Sequence, residues 1–154
     1  MKEHVQLKGE IRYAIRLAER TARLYRRVQT VSTFFSILGG SAALAAIADI
    51  FPKELSIAGA CVAAVFGAAL VAIRPADKAT QNEADLRRFQ SLMTRANSLD
   101  EKALEAAIEE ARQGSAQEIE PLRDVAYNDV VMEFNRPDAL IPLSPLQKIL
   151  RAFA

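Results

Sequence analysis

A chain of 154 residues with a net charge of +1 has room for one domain, or for a small domain joined to membrane spans. One cysteine, Cys61, excludes an internal disulfide, and one histidine, His4, excludes a Cys/His zinc cluster and any Ser/His/acid site away from the N-terminus. The charge is segregated: residues 1–30 hold eight Lys/Arg against three Glu, residues 31–73 hold only Asp49, Lys53 and Glu54, and residues 74–154 hold eleven Lys/Arg against fourteen Asp/Glu.

Residues 3–29 read as an amphipathic helix. Leu7, Ile11, Ala14, Ala18, Ala22 and Tyr25 recur at three- and four-residue intervals on one side. Arg12, Arg16, Arg20, Arg23 and Arg27 repeat on another, forming a basic row suited to solvent, anionic headgroups or an acidic helix.

Two uncharged runs follow, VSTFFSILGGSAALAAIA at residues 31–48 and LSIAGACVAAVFGAALVAI at 55–73. At a rise of about 1.5 Å per residue each makes a helix of roughly 27–29 Å, close to the thickness of a bilayer's hydrocarbon core. Two such runs are hard to bury in so small a soluble domain. The link DIFPKE at residues 49–54 is short, polar and broken by Pro52, which predicts an antiparallel hairpin with spans at about 31–50 and 54–73. Arg20, Arg23, Arg26 and Arg27 precede the first span and Arg74, Lys78, Arg87 and Arg88 follow the second, against Lys53 alone in the turn. The positive-inside rule then puts both termini in the cytoplasm.

Small residues mark the packing faces of the spans. Ser56, Ala60, Ala64, Ala68 and Ala72 form one row on the second span, Gly59, Ala63 and Gly67 a neighbouring one, and Ser32, Ser36 and Gly40 a third on the first span. Small residues at i, i+4 let helix backbones approach closely in lipid. One row per helix suffices for the hairpin, so the second row on the second span predicts contact with other copies of the chain. Cys61, inside this run, reads as a small packing residue.

Beyond Arg74-Pro75 the chain reads as a helical segment over residues 74–136. A helix starts near Asp77, with Leu86, Phe89, Leu92 and Met93 on its apolar side. A second is capped by Ser98 and ends at Gly114, and a third runs from Ser115 to about Asn135, kinked at Pro121 or starting late near Glu120. Glu101, Glu105 and Glu109 make an acidic row on the second of these, which predicts pairing with the arginine row, within one chain or between subunits. Pro137, Pro142 and Pro145 open a tail over residues 137–154. Its short helix carries Leu146, Ile149, Leu150 and Phe153 on one side and is too short to fold alone, so it must dock on the protein, the membrane or a partner.

No phosphate loop is present, because Gly39-Gly40 sits inside an apolar run rather than after a strand. No recognition motif accompanies the arginines, so no nucleic-acid partner is expected. The absence of charge within the apolar runs argues against a midplane proton relay. The expected class is an all-α membrane protein: a two-helix transmembrane hairpin flanked by an N-terminal amphipathic helix and a C-terminal cytoplasmic helical domain, with no enzyme site, cofactor or metal.

The basic amphipathic helix, the small-residue hairpin and the distal segment PLRDVAYNDVVME at residues 121–133 together resemble the SLATT family of bacterial two-transmembrane effectors, over roughly residues 8–136. The resemblance implies a bacterial inner-membrane effector of anti-phage defence that permeabilises the membrane under the control of a sensor or nucleotide-signalling partner. It carries over no catalytic residues. The other reading of the sequence is a non-conducting adaptor that holds a cytoplasmic partner at the membrane.

Overall fold

The amphipathic periodicity of the N-terminal residues runs into the first uncharged stretch with no proline between them. The computed structural model, which describes residues 3–47 and 52–154, makes one helix of both, α1 (His4–Ile47). Its 44 residues correspond to a length of about 66 Å. The change of composition at residue 30 is therefore not a break in secondary structure. Asp49, placed by the sequence in the turn between the spans, lies outside the described residues.

The second apolar run forms α2 (Lys53–Ile73), entered from Pro52. It ends where Arg74 adopts left-handed backbone angles (φ 50°, ψ 54°) and donates its N–H to the Leu70 carbonyl. Helix α3 (Pro75–Arg95) then starts with proline at its first position, where the fixed φ suits a helix and no N–H is needed. That start is two residues earlier than Asp77.

Helix α4 (Glu101–Gln113) is capped by Asp100, whose carboxylate accepts the Ala103 N–H at 2.7 Å. Ser98 instead closes a 3-10 turn and donates its hydroxyl to the Arg95 carbonyl. Gly114 ends α4 as expected. The next helix does not begin at Ser115: Pro121 sits in a 3-10 turn, Glu120–Leu122, and α5 (Arg123–Glu133) follows it. Helix α6 (Pro145–Phe153) opens with a reciprocal capping box between Ser144 and Gln147. Every regular element among the described residues is helical, with no strand.

The chain divides into two units, one of residues 1–24 and 78–154, the other Tyr25–Asp77. In the first, Leu7 and Ile11 of α1 pack with Phe89 and Leu92 of α3 and with Leu104 and Ile108 of α4. A second cluster joins Leu17 to Leu122, Val125, Ala126 and Ala154, with Leu143 and Leu150 against it. Asn128 ties the proline-rich segment to α5: its side-chain amide donates to the Ile141 carbonyl at 2.8 Å and accepts the Ile141 N–H at 2.9 Å. The second unit is the hairpin of α2 with the C-terminal part of α1.

Candidate functional site

Within the hairpin unit the contacts are set by side-chain size. Ala42 lies near Gly59, Gly39 near Gly59 and Ala63, and Ser36 near Gly67, so residue numbers fall along α1 as they rise along α2 and the two run antiparallel. A β-carbon on Gly39 would lie 2.7 Å from the Ala63 backbone nitrogen, and one on Gly59 would lie 2.8 Å from the Gly39 carbonyl oxygen. Only hydrogen fits at either place. Gly67 is looser, its added β-carbon 3.6 Å from Ser36 Oγ. One helical repeat along, Phe35 stacks on Phe66 with ring centroids 5.0 Å apart.

Of the small residues singled out in the sequence, Ser36, Gly59, Ala63 and Gly67 thus meet across the hairpin. Gly40 does not: a β-carbon there would have nothing within 4 Å. Gly39 takes that role, one residue earlier. Spacing alone could not separate the two, because neighbouring glycines belong to adjacent rows and the rotation of the helix decides which row faces its partner.

Ala60, Ala64 and Ala68 form the other row on α2, and all three are exposed. Cys61, also exposed, lies seven residues before Ala68, nearly two full turns, and so shares that face. Larger apolar side chains surround it, with Val65 65% and Val71 78% exposed. Both α1 and α2 carry stretches long and apolar enough to cross a membrane, and only 11% and 6% of the most apolar window in each is buried. A core helix of a soluble protein would bury most of that surface.

Within the chain, the arginine row meets α5, its own helix and the tail rather than the acidic row of α4. Arg20 Nε donates to Asp129 at 2.8 Å, and Arg16 Nε to Glu133 at 2.5 Å with a further contact through its Nη2. Asp129 and Glu133 are one turn apart on α5. Arg16 and Arg23 also bind Glu19 of their own helix, each at 2.8 Å. Arg12 lies over the Phe134 ring, 4.8 Å from its centroid. Arg27 belongs to the hairpin unit.

The acidic row on α4 is not the partner of these arginines within the chain. Glu109 binds Arg112, whose other nitrogen reaches Glu10, while Arg16, Arg20 and Arg23 pair with Glu133, Asp129 and Glu19 rather than with Glu101 or Glu105. The reason is packing. The first turns of α1 bury Leu7 and Ile11 against α4, and the arginine-bearing turns lie against α5 instead.

The tail docks on its own protein, by one residue of the expected four. Leu150 packs on the second cluster, whereas Leu146 and Ile149 are each 57% exposed and Phe153 is 54% exposed. Two arginines hold the far end of α6: Arg20 donates to the Arg151 carbonyl at 3.2 Å and Arg23 to the Ala154 carbonyl at 3.0 Å. Cations at a helix C-terminus satisfy its unpaired carbonyls and oppose its dipole.

Among the described residues no group of His, Cys, Asp or Glu is arranged to hold a metal. The chain matches no protein-family model, no curated protein and no solved structure.

Proposed function

We propose that the chain is an oligomeric inner-membrane effector whose hairpin crosses the bilayer with both termini in the cytoplasm, and which permeabilises the membrane when a sensor partner triggers it. It has no enzymatic role in this reading. The observation that carries it is the exposed row Ala60, Ala64 and Ala68, set apart from the row already used within the hairpin. In lipid, apolar side chains gain little by associating, and close backbone approach over small residues is what holds helices together. A second such row is therefore a surface for another copy of the chain. Support also comes from the basic residues on both flanks of the hairpin and from the resemblance to SLATT effectors, which implies the defence role. Induced expression should collapse the membrane potential of the host cell. A potential that stays intact under every trigger tried contradicts this function.

The exposed side chains of Leu146, Ile149 and Phe153 favour a second reading, a non-conducting adaptor that offers α6 to a cytoplasmic partner. Leu150 and Ala154 belong to the core, so deleting the tail would damage the fold. Changing the three exposed residues to Gln leaves that core intact. An adaptor then loses its partner, whereas an effector keeps its leak.

A further inference from the structure

The helical unit contains a cavity of about 290 Å³ between α1, α3 and the segment after α4. Leu17, Ala18 and Phe89 supply apolar wall. Three polar side chains of the lining are more than nine-tenths buried: Thr21 at 1% exposure, Asp85 at 5% and Asn82 at 6%. Such groups are costly inside a protein unless each finds a partner. Asn82 donates to the Lys78 carbonyl at 2.8 Å. Thr21 Oγ1 has no partner among the described residues.

Asp85 accepts one hydrogen bond, from the Ala116 N–H at 2.7 Å, and its other oxygen forms an ion pair with Arg88 Nη1 at 3.6 Å, too long for a hydrogen bond. A carboxylate has about four acceptor sites, so most of this one's capacity is unspent.

Two donor residues of the lining, Arg112 and Ser115, are committed elsewhere, while the Thr21 hydroxyl is not. Arg112 gives one terminal nitrogen to Glu109 and the other to Glu10, and Ser115 donates to the Ala111 carbonyl. The lining holds two carboxylates, Asp85 and Glu118, and one guanidinium, Arg112, and Glu118 is already bound by Arg123 at 2.9 Å, which leaves Asp85 as the carboxylate with acceptor sites to spare. What the cavity offers is buried acceptor capacity and apolar wall. A ligand that donates hydrogen bonds completes the Asp85 carboxylate, and a cationic donor does so most strongly.

We propose that this cavity binds a small organic cation, a protonated primary amine on a compact apolar body, with the ammonium held by Asp85, the Thr21 hydroxyl taking the ligand's remaining polar contact, and the body against Leu17, Ala18 and Phe89. The site lies wholly within the helical unit and stands whether or not the hairpin conducts.

Benzylamine tests it on the full chain in detergent micelles, with benzyl alcohol and benzoate as uncharged and anionic probes of the same shape. NMR titration should give saturable shifts at the Ala116 amide and the Phe89 ring with benzylamine alone. Asp85→Asn keeps an acceptor for the Ala116 N–H but loses the charge, and should weaken binding by about tenfold or more, the scale of one charge-assisted contact. Thr21→Val matches the shape without the hydroxyl and should weaken it several-fold. If circular dichroism shows that Asp85→Asn does not fold, Thr21→Val decides. The site is overturned if the three probes bind alike, if no shift saturates, or if Thr21→Val binds benzylamine as the wild type does.

Discussion

Gly39 and Gly59 pass each other with backbone against backbone, each filling the space that a β-carbon of the other would need. Gly40, its immediate neighbour, has open space around the same point. Gly39→Ala should therefore force the helices apart and cost about 1–3 kcal/mol, the usual scale for overpacking. Gly40→Ala should be neutral or stabilise by up to about 1 kcal/mol, since alanine favours the helix and meets nothing. Unfolding in mixed micelles measures both. Equal effects from the two would mean that the hairpin packs in another rotation.

The outward row makes a separate prediction. Mild oxidation of membranes should join copies of the chain through Cys61, and Ala64→Leu should abolish the cross-link while leaving the hairpin folded. A chain that stays monomeric on a non-reducing gel, at high expression and full oxidation, has no neighbour on that face.

Arg20 and Asp129 test how the tail is held. Their side chains are 19% and 18% exposed, so little solvent screens the pair. Arg20→Ala strips Asp129 of its cation and the Arg151 carbonyl of a donor, and should cost about 1.5–3 kcal/mol, as for other hydrogen bonds to charged groups. Asp129→Leu added to Arg20→Met should recover much of the loss, because no charge is then left buried alone. Thermal unfolding followed by circular dichroism reads both. If the double variant is no better than Arg20→Ala, the ion pair is not what holds this contact.

Tyr13 predicts an alkaline limit. Burial, and then the nearby charge of Glu118, raise its phenol above the ordinary 10.0. The folded chain thus holds this proton more tightly than the unfolded chain. Tyr13's contribution is complete below 10.0 and is lost as pH rises through that value toward the raised one. Tyr13→Phe should flatten that part of the stability curve in a pH-dependent melt. A wild type and variant that lose stability in parallel above pH 10.0 would show that Tyr13 is not the group responsible.

What could be read in the sequence was local. Apolar periodicity marked the N-terminal part of α1 but not its continuation to Ile47, the uncharged runs marked the apolar helices, and Ser144-Pro145 marked the start of α6, because caps and periods are short-range properties of the chain. Ser98 and Asp100 show the limit of that reading. Both are good caps two residues apart, and Leu99 in extended backbone leaves the role to Asp100. The partners of the arginine row were not legible at all. Glu105 and Asp129 both lie on helices packed against α1, and only the docking of α4 on Leu7 and Ile11 leaves the arginine-bearing turns to α5. Leu146, Ile149 and Phe153 show the same limit: a helix has an apolar side in sequence, but its buried side depends on where the chain returns.

The proposed effector requires lipid around the apolar stretches of α1 and α2. Cell membranes washed in alkaline carbonate and floated on a density gradient test this most directly. The chain should rise with the lipid and leave it only in detergent. A chain released by the wash and monodisperse in plain buffer would contradict it.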